Sequence, residues 1–154
     1  MKKRAILTAV IALTAAIFAG CQKKDVVIDV AALADDLKNT VPFVDTLDQP
    51  SAAAFKQIYQ IDDVDIAEKK VYVSSGATAE EIAVFESVSE DAAERIHEAV
   101  NTRIADNLES FEDYNPDEQK KLSDPVIVTT GKYVILCVSD DNDAARQCIE
   151  KYTK

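Results

Sequence analysis

The sequence predicts an α+β fold, a two-layer sandwich whose antiparallel sheet of about four strands is built from two ββα units with helices on one face, preceded by N-terminal helices. Two pairs of β-rich segments are each followed by a helix opening on Asp-Ala-Ala, at Asp91-Ala92-Ala93 and Asp143-Ala144-Ala145. Apolar residues at steps of three and four mark those helices and the segments before the first strand. Behind a targeting segment, residues 29–154 have the length of a single domain.

The chain opens with the parts of a secretory signal, residues 1–20. Lys2, Lys3 and Arg4 form a positive start, and Ala5 to Phe18 is an uncharged, mostly apolar run of about 14 residues. A spanning helix needs ~20 apolar residues, so a permanent transmembrane anchor is the weaker reading. Phe18-Ala19-Gly20-Cys21 resembles a lipobox: small residues admit a peptidase that cuts between Gly20 and Cys21, and the Cys21 thiol accepts a diacylglycerol. The usual pattern has Leu where this chain has Phe18; the alternative is ordinary secretion with a free Cys21. Residues 21–28 read as the lipidated cysteine and a tether. The expected location is the outer face of the cytoplasmic membrane, held through the lipid.

All 28 acids follow Gly20, and losing Lys2, Lys3 and Arg4 from the 17 basic residues leaves 14, so the mature domain carries −14. Such a surface repels nucleic acid and anionic head groups. It fits a cationic partner, a divalent cation, or plain solubility beside an anionic membrane. Cys137 and Cys148 could pair outside the membrane, or could remain two buried free thiols among their apolar neighbours.

From Asp29, an expected N-cap, Val30, Leu33, Ala34, Leu37 and Val41 follow helical spacing until Pro42. Pro50-Ser51 opens a second, shorter helix with Phe55, Ile58 and Tyr59 on one face. Lys70 to Ser74 and Glu81 to Val88 read as strands. Thr78-Ala79-Glu80-Glu81 has the form of a capping box, but the β-branched and aromatic residues after it, and Gly76 before it, favour a hairpin. Ser89 caps a long helix with the stripe Ala93, Ile96, Val100, Ile104, Leu108 and Phe111. Asn115-Pro116-Asp117-Glu118 reads as N-cap, N1 proline and N3 acid of a short helix ended by Pro125. Val126 to Thr130 and Tyr133 to Val138 form a hairpin about Gly131-Lys132, and Asp143 to Tyr152 is the final helix.

Missing chemistry narrows the function. After the signal only Gly76 and Gly131 remain, so neither a P-loop nor a dinucleotide fingerprint can form, and no nucleotide or other cofactor is expected. His97 is the single histidine, so a His-rich zinc site is excluded and a triad would rest on that residue alone. It reads better as a half-exposed helix residue. Without Trp, a sugar-stacking platform would depend on Tyr. Asp140-Asp141-Asn142-Asp143 is the densest carboxylate cluster, yet it lacks the turn glycine of a calcium loop and reads as a polar turn capping the last helix.

Val71 to Phe85 (VYVSSGATAEEIAVF), Arg103, Ser110 to Pro116 (SFEDYNP) and the Gly131-Lys132-Tyr133-Val134 hairpin, with the lipobox, resemble a family of small lipoproteins of Gram-positive anaerobes. That family is known as a domain of unknown function, DUF family 4358, and the likeness covers roughly residues 26–152. It implies an extracytoplasmic location and a non-enzymatic role. Glu80, Glu81, Arg103 and Tyr114 are its candidate cluster, forming either one buried ion pair or a small ligand cleft. No catalytic set is expected. The leading expectation is a lipid-tethered module binding or assembling another envelope protein. The alternatives are a small-ligand or cation receptor for a transporter, and a hydrolase using Glu80 and Glu81 as acid and base.

Overall fold

The structure, a computed structural model, describes residues 26–154. Gly20 and Cys21 lie outside the described residues, as does the signal segment. Among the described residues no helix is long and apolar enough to cross a membrane.

Two helices lead: α1 (Val30–Thr40) and α2 (Ala52–Tyr59). They are followed by β1 (Ile66–Val73), β2 (Glu81–Ser87) and the long α3 (Glu90–Tyr114). The chain then forms α4 (Gln119–Ser123), β3 (Val126–Thr130), β4 (Tyr133–Val138) and α5 (Asn142–Thr153). The Asp29, Ser51 and Ser89 side chains accept from backbone N–H groups three residues on and start α1, α2 and α3. Asn115 makes no such cap; a 3-10 turn at Pro116–Glu118 stands in its place. The expected N3 acid, Glu118, turns inward and is buried.

The sheet has the order β1-β2-β4-β3 and is antiparallel throughout. The α+β class and the four strands are as expected, with β1 starting four residues earlier than Lys70. Its extra residues, Ile66 to Lys69, are the mostly exposed part of an edge strand, where Glu68 and Lys69, with Lys70 after them, discourage pairing with other chains.

The single layer of helices is corrected. Ile82, Val84, Ile135 and Cys137 pack under α1 and α5 with Leu33, Leu37, Cys148 and Ile149. Ala83, Phe85, Val134 and Leu136 pack on the opposite face with α2 and α3, against Phe55, Tyr59, Ile96 and Val100. All six residues of β4 are buried, as befits a strand covered on both sides. The molecule therefore has three layers, and the two ββα units are not equivalent because their helices go to opposite faces. Ile28, assigned to the tether from sequence, belongs to the first core at 3% exposure.

Candidate functional site

Glu80 and Glu81 stand where the β1–β2 loop enters β2. Consecutive strand residues point to opposite faces, so the two carboxylates part company. Glu80, 1% exposed, turns toward the α1–α2 connection. Its Oε1 accepts from the Val44 N–H at 2.9 Å and from Lys121 Nζ at 3.1 Å. Its Oε2 accepts from the Asp45 N–H at 2.9 Å and from the Thr78 hydroxyl at 3.1 Å. The Thr78–Glu81 segment thus serves as loop and strand rather than as a capping box. Burial alone raises the Glu80 pKa; the Val44 and Asp45 amides and the Lys121 ammonium outweigh it, leaving the carboxyl below its ordinary value.

Lys121 is equally enclosed. Besides Glu80 it reaches Glu118 at 3.1 Å and Asp140 at 3.2 Å. Burial lowers its pKa, and the bonds to Glu118, Glu80 and Asp140 more than reverse that, so it stays protonated. Glu118 also accepts from the Ala79 N–H at 2.9 Å. Glu80 therefore fastens the α1–α2 connection and the β1–β2 loop to α4, and Lys121 carries the link on to the turn before α5.

Glu81 faces α2 and α3. It accepts from the buried Tyr59 hydroxyl and from Arg103, whose Nε and Nη2 reach Oε2 at 3.1 and 2.9 Å. Of the alternatives for the four candidate residues, an ion pair exists between Glu81 and Arg103 alone. Tyr114 lies further along α3 at 68% exposure, its ring 5.9 Å from Phe111. Yet Glu80, Glu81, Arg103 and Tyr114 all line one open cleft of about 330 Å³. Ion pair and cleft coexist.

Asn107 completes this wall and escaped sequence reading. It lines the cleft, is 7% exposed, and its carboxamide has no hydrogen-bond partner among the described residues. Its amide atoms are not among the fully enclosed, unbonded ones, so the carboxamide opens into the cleft. The signal was present: Ile104, Asn107 and Phe111 keep the three-four spacing, and Asn107 is buried beside Leu108, which packs half-buried against the same core. Tyr59, Glu118 and Lys121 were missed because aromatic and charged helix residues ordinarily read as core filler and solvated surface.

The remaining candidates have other roles. Cys137 and Cys148 are free, buried thiols in one core, and burial pushes Cys137 up to about 12. His97 is half-exposed, with Nδ1 2.9 Å from the Thr129 hydroxyl on the edge strand. In the carboxylate turn, Asp141 accepts from the Ala144 N–H at 2.9 Å and caps α5, while Asp140 is engaged by Lys121.

A three-layer α+β domain whose polar cleft is fastened by two buried, fully bonded glutamates defines the class of protein. Within it, the chain belongs to the family of the domain of unknown function DUF4358, whose sequence model matches residues 43–139. That span is narrower than the likeness over residues 26–152, but it contains the cleft wall and every partner of Glu80. No curated protein and no solved structure matches the chain.

Proposed function

We propose that the chain is a lipid-anchored binding module on the outer face of the cytoplasmic membrane, non-enzymatic, contacting an envelope protein through the cleft. One observation carries this reading: Glu80, Glu81 and Arg103 at the cleft are already engaged by partners within the fold. Glu80 is held ionised by four donors and Glu81 is tied to Tyr59 and Arg103. Acid–base hydrolysis needs one carboxyl raised toward neutrality as proton donor, and Glu80 is moved the other way. What the cleft offers instead is shape, an amide and an aromatic rim, the equipment of recognition. The sequence supplies the anchor at Cys21, and neither nucleic acid nor nucleotide is a partner.

The test is crosslinking in intact cells, comparing the wild type with Cys21→Ala and identifying the captured proteins. The reading expects a partner captured with the lipidated form and lost from the variant. Capture of nothing by either form sinks it. A second reading, a receptor for a small ligand serving a transporter, is favoured by the cleft volume of about 330 Å³, at the lower end of ligand pockets. A thermal-shift screen of metabolites and metal ions checks it, and a flat screen removes it.

A further inference from the structure

We propose that the cleft binds an internal, uncharged stretch of extended polypeptide, with the Asn107 carboxamide pairing to the N–H and C=O of one ligand residue. This rests on the binding-module reading and gives that module its ligand chemistry.

Asn107 occupies an inward position of α3 where an apolar residue is the usual choice. On the inward stripe of α3, between Ile104 and Phe111, the chain carries an amide that is 7% exposed and bonded to nothing among the described residues. Neither amide atom of Asn107 is among the fully enclosed, unbonded ones, so the carboxamide opens into the cleft with its donor and acceptor free for a partner arriving there. A carboxamide presents a donor and an acceptor side by side. In an extended chain the N–H and C=O of one residue point to the same side, which is how antiparallel strands exchange paired bonds. Asn107 can therefore act as one residue of a strand.

The ligand's charge follows from its neighbours. Arg103, one turn away on α3, already gives Nε and Nη2 to Glu81, and both Glu80 oxygens are occupied. No unpaired charge among these groups remains to compensate a terminal ammonium or carboxylate as it loses water. An internal segment has neither. Tyr114, at the rim and 68% exposed, offers its ring to a ligand side chain. A cleft of about 330 Å³ suits a few residues of chain and not a folded domain.

The test uses the full-length lipidated protein in detergent micelles, labelled with nitrogen-15. The probe is a pooled library of N-acetyl tripeptide amides drawn from Ala, Leu, Tyr, Ser and Asn, its best member then taken alone. Binding should shift the Asn107 side-chain NH₂ resonances. Replacing one particular peptide N–H of that ligand by an ester oxygen should weaken binding about tenfold, as the loss of one buried hydrogen bond predicts.

Asn107→Leu should lose binding by tenfold or more while its melting temperature stays level, because the Asn107 side chain makes no hydrogen bond within the protein that the change would break. Asn107→Asp, which keeps the shape but loses both donors, should also lose binding, and it serves if the Leu variant does not fold. The proposal is overturned if no library member binds, if every ester binds as well as its amide, or if Asn107→Leu lowers the melting temperature by several degrees. Equal or tighter binding of the unblocked tripeptide would instead assign the cleft to free peptides and end the claim of an internal segment. Cellular crosslinks that persist unchanged in Asn107→Leu would sink the cleft assignment and leave the binding module standing; loss of all crosslinks in the wild type would sink the module itself.

Discussion

Glu80 shows how one side chain can set the acid stability of a fold. Its pKa is lower in the folded chain than the ordinary 4.5. It therefore adds stability at pH values above 4.5, and that contribution is lost as pH falls toward the folded value. Lys121 is the mirror case: raised above 10.5, it contributes below that pH and fails only under strong alkali. At neutral pH, Glu80→Gln should cost about 3 kcal/mol in urea unfolding, since it removes one partner of a buried pair and strands part of the other. The variant should also lose less stability than the wild type between pH 5 and pH 3, and parallel acid limbs would remove Glu80 from this role. The sequence marked Glu80 and Glu81 as a pair but could not divide them, because their opposite directions depend on β2 starting at Glu81. Cys137 has a sharper test. With its pKa at about 12, its thiolate fraction at pH 7 is ~10⁻⁵, so the native protein should resist iodoacetamide. In denaturant without reductant, both Cys137 and Cys148 should be alkylated; a disulfide between them would leave neither modified.

At the scale of elements, the legible parts of the fold are those fixed by local chemistry. Asp29, Ser51 and Ser89 were readable as helix starts because a cap acts within three residues. The β1–β2 connection was readable as a hairpin from Gly76, which sits at φ +97°, a backbone state that side chains disfavour. What local chemistry does not encode is which face of a sheet a helix takes. In β2 the sequence Ile82-Ala83-Val84-Phe85 is apolar at every position, and that run, not alternation, signals cover on both sides. Asn115 failed as a cap because the 3-10 turn after it directs Glu118 to the Ala79 amide and Lys121, a long-range demand that overrides a local one. The turn before α5 tests the same principle. Asp141→Ala should destabilise the protein by about 1 kcal/mol through loss of the cap, measured by thermal unfolding. Calcium should leave the melting temperature of wild type and variant alike unchanged, and a calcium-dependent rise confined to the wild type would give the turn a metal after all.

The whole molecule joins a strongly acidic domain to an expected lipid anchor, and the two pull in opposite directions. A net charge of −14 over residues 21–154 is repelled by anionic head groups, so electrostatics cannot hold the domain at a bilayer. Burial of acyl chains contributes ~0.8 kcal/mol per methylene, and two chains suffice for stable anchoring. The tether is short: Ile28 is already in the core, and the seven steps from Cys21 span at most ~25 Å even fully extended. Lipidation would thus hold the cleft near the membrane against its own charge, within reach of partners that project little from the surface. This arrangement has a direct test in fractionated cells. The wild type should stay with membranes through a high-salt wash, which screens charge and leaves hydrophobic anchoring intact, and should be released by detergent. Cys21→Ala should appear in the soluble fraction at any salt concentration. Release of the wild type by salt alone would mean that a protein partner, not a lipid, holds it there, and the dependence on Cys21 expected for the crosslinks would then have to disappear as well.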